Sequence, residues 1–377
     1  MLSKLKVQHY KSLFDTEIDL EPLTVFIGPN GSGKSNICES LVVLSDFLNR
    51  LAGSINNAYN AKDFFSQSLQ AVSKTQVNIE SKFWHGNLDH LCFIVSALKK
   101  NETALSKLTD LFVSFAYPQQ NILIKILENE IAKETSEASH TLSLSAFLVA
   151  NNYQFSPIAE ALRKICIYDF APLNLSNQVS SNGSMARTGE GIAYALVDIL
   201  LSNRKGFDEL EERLKFLVPN IQKISLPRSS NQSFSLQLID KYSEHHIPAS
   251  DISDGTLRIL AFLTALYQEN TPSIICFEEI ENGVHPWLLH KMMELLKLVS
   301  TEGITGKPVQ VLITTHSPTL LNYVEPHQVR AVELDNEGKT QVHNLPTDSV
   351  RFQKALEAYD GSLGELWFTN QFGGNPA

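Results

Sequence analysis

Gly28-Pro29-Asn30-Gly31-Ser32-Gly33-Lys34-Ser35 constrains this chain more than any other stretch. It follows the pattern G-x-x-x-x-G-K-[ST]. Before it, Leu23, Val25, Phe26 and Ile27 form a short apolar run after Pro22, the mark of a buried strand. After it, Ile37, Leu41, Leu44 and Leu48 recur at helical spacing in a helix that opens at Lys34. The glycines let the backbone curl so that several N–H groups can point at one anion. The helix that follows adds its positive N-terminal end. Lys34 is then a point charge for the β- and γ-phosphates of a nucleotide, and Ser35 a hydroxyl ligand for Mg²⁺. A glycine turn before a helix can arise by chance. Strict spacing, with a strand before and a helix after, favours a nucleoside triphosphate site.

Composition narrows the class. The chain has 377 residues, 43% of them hydrophobic and 19% charged, which suits a globular protein of one large or two ordinary domains. The formal net charge of −10 argues against binding nucleic acid or an anionic membrane by charge alone, although a local basic patch would keep DNA or RNA open. The cysteines Cys38, Cys92, Cys166 and Cys276 form no C-x-x-C pair, which speaks against structural zinc and disulfides and fits a reducing cytosol. The first residues lack the apolar stretch of a signal peptide. The longest apolar run, Ile259 to Leu266, is broken by Thr264 and is far short of the roughly 20 residues of a membrane-spanning helix. The expectation is a cytoplasmic protein with no membrane partner.

Periodicity predicts the rest of the order. Residues 1–27 alternate as strands, and 77–97 read as two more around His85-Gly86-Asn87. Residues 101–165 read as helical, with Leu105, Leu108, Leu111 and Phe112 as the example, and carry no sustained heptad seam. A loop over 176–191 precedes a helix from Ile192 to Ser202, and strands follow at Ile221–Leu226 and Phe234–Ile239. Helices at 255–268 and 286–300 then alternate with strands at Ser273–Phe277 and Val309–Thr314, the pattern of a largely parallel, covered sheet.

Four segments of the last third carry chemistry. Ser253-Asp254-Gly255 opens a helix and offers a hydroxyl and backbone N–H groups to an anion. The apolar strand Ile274-Ile275-Cys276-Phe277 ends in Glu278-Glu279, two carboxylates that are costly at a buried strand end unless they hold a cation or water. Glu281-Asn282-Gly283-Val284-His285-Pro286 follows directly. A second strand ends in Thr314-Thr315-His316-Ser317-Pro318. Taken singly these are an ordinary helix cap, a solvated strand end and a structural histidine. Their joint order downstream of the phosphate loop is what gives them weight.

That order resembles the ABC-type ATPase heads of the SMC, RecF and OLD families. Gly33-Lys34-Ser35-Asn36, Ser253-Asp254-Gly255-Thr256-Leu257-Arg258, Glu281 to Pro286 and Thr314 to Pro318 carry the likeness. The tail from Gly361 to Phe368 adds to it. The likeness is strongest to compact stand-alone bacterial AAA-family ATPases, many encoded in anti-phage defence operons beside a separate effector. It implies an α/β fold: an ABC-type phosphate-loop ATPase head with a mixed sheet, an antiparallel β subdomain, a short helical insert and no long coiled coil. The lobes it implies are 1–100 with the phosphate loop, the insert 101–165, a second lobe 166–345, and a tail 346–377.

The same likeness implies ATP and Mg²⁺ as cofactors. ATP would lie on Gly28, Pro29, Asn30, Gly31, Ser32, Gly33, Lys34, Ser35 and Asn36, and be capped by Ser253, Asp254 and Gly255 of a second copy in a head-to-tail homodimer. Ser35 and Glu278 would serve the metal, Glu279 the attacking water and His316 the γ-phosphate, with Lys34 on the transferred group. The implied use is ATP hydrolysis as a molecular switch in anti-phage defence or DNA surveillance, with a separately encoded effector as partner. A RecF-like DNA-repair ATPase shares these residues and stays open. A transporter subunit fits the signature less well, and a non-enzymatic binding module fits the full residue set less well. Too few residues follow His316 for a typical nuclease domain. Glu278 stands where these families usually carry Asp, and no glutamine between 60 and 180 marks the family's Gln loop. The tail residues Leu363, Leu366, Trp367, Phe368 and Phe372 either pack on the chain's own core or dock a partner.

Overall fold

The computed structural model describes residues 1–53, 76–83, 92–99, 108–117, 120–127, 131–133, 162–176, 184–228, 233–268, 271–304 and 306–374. They fall into two compact units: Met1–Ile165 with Glu325–Ala377, and Cys166–Val324.

In the first unit, β1 (Leu2–Tyr10) and β2 (Leu13–Asp19) form an antiparallel hairpin in which Lys4 faces Asp19 and Tyr10 faces Leu13. Leu5, Val7, Leu13 and Ile18 are buried while Asp15, Glu17 and Asp19 are exposed, the alternation of a sheet with one wet face. Strands β4 (Gln76–Phe83), β5 (Cys92–Lys99), β6 (Leu108–Tyr117), β7 (Gln120–Leu127) and β8 (Ile131–Lys133) extend this sheet in the order β2-β1-β4-β5-β6-β7-β8, each pair antiparallel. The two strands expected at 77–97 are β4 and β5; the turn His85-Gly86-Asn87 lies outside the described residues.

The expected helical insert at 101–165 needs correction. Its described parts, 108–117, 120–127 and 131–133, are strand, and β6 and β7 pair antiparallel with Tyr117 opposite Gln120. Leucines three apart mimic a helical stripe. Phe112, Val113, Phe115 and Tyr117 are β-branched or aromatic and suit a pleated surface.

The same unit holds β3 (Leu23–Ile27), buried throughout, and α1 (Lys34–Gly53), which buries Ile37, Leu41 and Leu44. Strand β15 (Val329–Leu334) runs parallel to β3 with Val329 opposite Val25, and β16 (Thr340–Asn344) pairs antiparallel with β15. Residues 325–345 thus belong with the phosphate loop and not with a lobe 166–345 as the lobe division expected.

The tail forms α8 (Val350–Ala358) and α9 (Leu363–Phe368). Leu363, Leu366 and Trp367 are buried, Trp367 Nε1 donates to the Gly374 carbonyl at 3.0 Å, and Gly374 N donates to Glu333 Oε2 at 3.1 Å. Phe372 packs edge-on to Phe352, and only Phe368 of the five apolar residues is largely exposed. Three of the five large apolar residues of the tail, Leu363, Leu366 and Trp367, are therefore core.

The second unit alternates strand and helix. In chain order it holds β9 (Ile165–Tyr168), α2 (Pro172–Ser176), α3 (Ile192–Ser202) and α4 (Arg204–Leu217). An antiparallel sheet of β10 (Ile221–Ser225), β11 (Gln237–Asp240) and β12 (His246–Pro248) comes next. It is followed by α5 (Asp254–Tyr267), β13 (Ile274–Glu278), α6 (Pro286–Thr301), β14 (Gln310–Thr315) and α7 (Pro318–Leu321). The strands lie in the order β14-β13-β9, with β13 and β14 parallel and fully buried. Such strands read as continuous apolar runs because both faces are covered. Phe277 anchors the core between Phe262, Tyr168 and Phe170, with ring centroids 5.3 to 6.2 Å away. The longest described helix is α1, with 20 residues, so no long coiled coil is present among the described residues. No described helix is long and apolar enough to cross a membrane.

Because Leu366 is fully buried, Leu366→Ala should cost about 2–5 kcal/mol of stability. The exposed Phe368→Ala should stay within about 0.5 kcal/mol. Urea unfolding of the two variants checks this; equal, small losses would show that the tail is not core.

Candidate functional site

The phosphate loop sits between β3 and α1. Gly31 (φ 79°) and Gly33 (φ 102°) take the left-handed backbone that turns successive N–H groups inward. Lys34 is buried, and its Nζ donates to the carbonyls of Gly28 and Pro29 at 2.7 and 2.8 Å, which hold the ammonium inside the loop. Asn30, Gly31 and Ser35 are exposed, Pro29 and Asn36 half-buried, and Gly28, Ser32 and Gly33 buried. The Ser32 hydroxyl is buried without a hydrogen-bond partner among the described residues, which leaves it available to a ligand oxygen.

Strands β15 and β16 brace the loop from behind. A Cβ on Gly28 would stand 2.0 Å from the Val332 carbonyl oxygen, and one on Gly33 2.1 Å from Thr340 Oγ1. Thr340 Oγ1 donates to the Ser32 carbonyl at 2.8 Å and lies 2.7 Å from Ser12 Oγ, which accepts from Asn36 Nδ2 at 2.8 Å. Thr340 N also donates to the Ser12 carbonyl at 2.8 Å. Ser12 and Thr340 were not legible as loop residues. They are 328 positions apart, and no local pattern marks either.

In the second unit, the parallel register that sets Glu278 opposite Thr314 brings the ends of β13 and β14 together. Glu278 is buried; one carboxylate oxygen is paired with Arg187 and the other, Oε1, has no partner among the described residues. Glu279 follows with φ 47°, a left-handed backbone that strains a glutamate by about 1–3 kcal/mol. Its N–H donates to the Thr314 carbonyl at 2.9 Å. Its carboxylate lies 2.7 Å from His316 Nε2 and accepts from Asn282 Nδ2 at 2.6 Å. Glu281 Oε1 accepts from Thr315 Oγ1 at 2.6 Å and from His316 N at 3.0 Å. His316 Nδ1 and Glu281 Oε2 are buried without partners among the described residues. Arg187, Glu281 and Asn282 join the cluster as residues that the sequence does not mark as part of the site. Arg187 carries no signal in its loop, whereas Glu281-Asn282 lies in the motif Glu281 to Pro286.

Ser253 caps α5, its hydroxyl accepting from Thr256 N at 3.4 Å, and both it and Asp254 are exposed. A Cβ on Gly255 would stand 2.5 Å from the Gly283 carbonyl oxygen, so this helix start is packed against the loop that follows Glu279. All three signature residues are thus presented together, next to the carboxylate loop.

No described cluster of three or more His, Cys, Asp or Glu side chains is arranged to hold a metal by itself. In the first unit the Ser35 hydroxyl is exposed at the phosphate loop, and in the second Glu278 Oε1 is buried and unpaired among the described residues; each is an oxygen of the kind that serves a hard cation or its water shell. The steric cradle also yields a test. Gly33→Ala, with no room for a Cβ and a φ of 102°, should weaken binding of a fluorescent ATP analogue at least ~10-fold, in the range expected when a supporting group of a metal-phosphate site is lost. Unchanged affinity would show that the loop is not so constrained.

The model of the "AAA ATPase domain" family matches residues 1–182. The model described as "AAA domain, putative AbiEii toxin, Type IV TA system" matches residues 186–322. Among curated relatives, the OLD nuclease of Thermus scotoductus is 28% identical over 94 residues, 25% of this chain and 17% of that protein. The chain therefore spans only about a sixth of that relative's length. Among solved structures, an SMC head bound to the C-winged helix domain of ScpA aligns over 93% of this chain and 99% of its own, at a TM-score of 0.53 and 14% identity, a likeness of fold. Two ATPase-domain matches set end to end on a phosphate loop, a partial OLD relative and an SMC-head fold make this chain similar to the SMC/RecF/OLD-like ABC-type ATPases.

Proposed function

We propose that this chain binds Mg²⁺-ATP and hydrolyses it to ADP and phosphate, cycling as a molecular switch. The observation that carries the reading is Glu279: a strained backbone, kept by its bond to Thr314, aims a carboxylate already held by His316 and Asn282. Strain of this kind persists where function requires an orientation. A carboxylate fixed by two hydrogen-bonding side chains orients a water and accepts its proton. His316, held through Glu281, supplies an imidazole beside that carboxylate for the γ-phosphate. Lys34 and the loop amides take the β- and γ-phosphates. Mg²⁺, when bound, neutralises charge on the transferred group, with Ser35 and Glu278 as its protein partners.

Two copies acting head to tail are part of the proposal, with Ser253, Asp254 and Gly255 of one capping the nucleotide of the other. The exposure of Ser253 and Asp254 at a helix start, with Gly255 half-buried beside them, supports it. A setting in anti-phage defence with a separately encoded effector is favoured by the toxin–antitoxin description of one matching family and by the OLD relative. Action in the cytoplasm follows from that setting.

Lys34→Ala should abolish ATP binding. Glu279→Gln should keep ATP binding and slow phosphate release about 10²-fold or more. Glu278→Gln alone stopping turnover while Mg²⁺ binding persists would reverse the two roles. Ser253→Arg and Lys34→Ala, each inactive alone, should partly recover turnover when mixed, since one heterodimer site then carries neither lesion. Absence of recovery in proven heterodimers would refute capping across subunits.

A further inference from the structure

The two oxygens of Glu278 are in different situations. Oε2 is gripped by Arg187, while Oε1 is buried with no partner among the described residues. Arg187 does not reach Glu278 from a loose loop. Its carbonyl accepts from Asp169 N at 2.9 Å, and the Thr188 carbonyl accepts from Ala171 N at 3.1 Å. Ala186 N donates to Glu190 O and Gly189 N to Ala186 O, both at 2.9 Å, closing the turn on itself. Met185 N donates to Gln268 Oε1 at 3.2 Å, at the end of α5, and Gln268 Nε2 donates to the Tyr168 hydroxyl at 3.0 Å. The guanidinium is thus delivered from a turn tied to β9 and α5. Its side chain is 39% exposed, against 6% for that of Glu278.

Glu278 is also one methylene longer than the aspartate usual at this strand end in the families it resembles, so it has one more rotatable bond. A buried carboxylate with that freedom would spread its oxygens over several orientations. Pairing with Arg187 removes the freedom and supplies the opposite charge that burial demands. We infer that Arg187 is the positioning residue for Glu278: it locks one oxygen so that the other is presented, fixed and unpaired, to the Mg²⁺ of bound nucleotide. This rests on the reading of Glu278 as a metal-facing carboxylate. In this role Arg187 acts through Glu278.

The test is the Mg²⁺ dependence of binding of a fluorescent ATP analogue, which needs no turnover. Arg187→Ala should raise the Mg²⁺ concentration at half-saturation by about 10-fold or more, as loss of a group orienting a metal ligand does. Arg187→Lys, which keeps the charge but not the planar fork, should fall between wild type and Arg187→Ala. In a Glu278→Asp background the carboxylate ends too short to meet the guanidinium, and Arg187→Ala should then change the midpoint less than about 2-fold, a non-additive pair. If Arg187→Ala does not fold, Arg187→Gln carries the same expectation. A midpoint that is unchanged or lowered in Arg187→Ala, or an equal effect in both backgrounds, overturns the inference and leaves the ATPase reading standing. Wild-type protein that fails to bind the nucleotide at any Mg²⁺ concentration overturns both.

Discussion

The phosphate loop keeps its shape because strands from the far end of the chain press on it where no side chain can fit. Val332 and Thr340 approach Gly28 and Gly33 so closely that a single methyl group at either glycine would collide with them. Thr340 then ties the loop carbonyl of Ser32 to Ser12 at the β1–β2 turn. A loop of inward-pointing N–H groups is unfavourable by itself, since its donors face one another and its glycines lose much entropy on ordering. The parallel pairing of β15 with β3 supplies the rigid backing that holds it. The first and last segments of the chain therefore form one unit for a mechanical reason.

The carboxylate cluster depends on a similar constraint in its own unit. The parallel register of β13 and β14 places Glu278 and Thr314 level, so that two acidic residues and a histidine leave the same sheet edge. Ligands of open α/β sheets gather at such carboxyl ends, where the strands stop and the loops can carry polar groups. Polar atoms that the cluster leaves unpaired are the ones on Glu278, Glu281 and His316. Buried unpaired polar atoms lower stability, and their concentration at one strand edge marks a place shaped for a ligand and not for folding alone.

Much of this was readable from residues. The strand–turn–helix of the phosphate loop, the helix starting at Ser253, and the two buried strands ending in Glu278 and Thr315 all obey local rules: apolar runs, caps and glycine turns. The described residues of 108–117, 120–127 and 131–133 did not obey the helical rule. Leucines spaced by three fit a helix stripe and a hairpin alike, and only strand pairing separates the two. The tail was ambiguous for a related reason: apolar content does not say which surface it covers, and burial of Leu366 and Trp367 answered it.

The sequence by itself determined the chemistry available: a lysine and a serine in a glycine loop, paired acids at a strand end, a histidine at another, a serine at a helix start. Each of these lies within a few residues of the local structure that presents it, so short-range pattern suffices. Tertiary structure alone decided which residues support them. Thr340 behind the loop, Arg187 on Glu278 and Glu281 beneath His316 are joined to their partners through packing between segments far apart in the chain or across separate strand ends. Such contacts leave no periodicity to read, because closing long loops of chain is governed by the fit of the whole core and not by neighbouring residues.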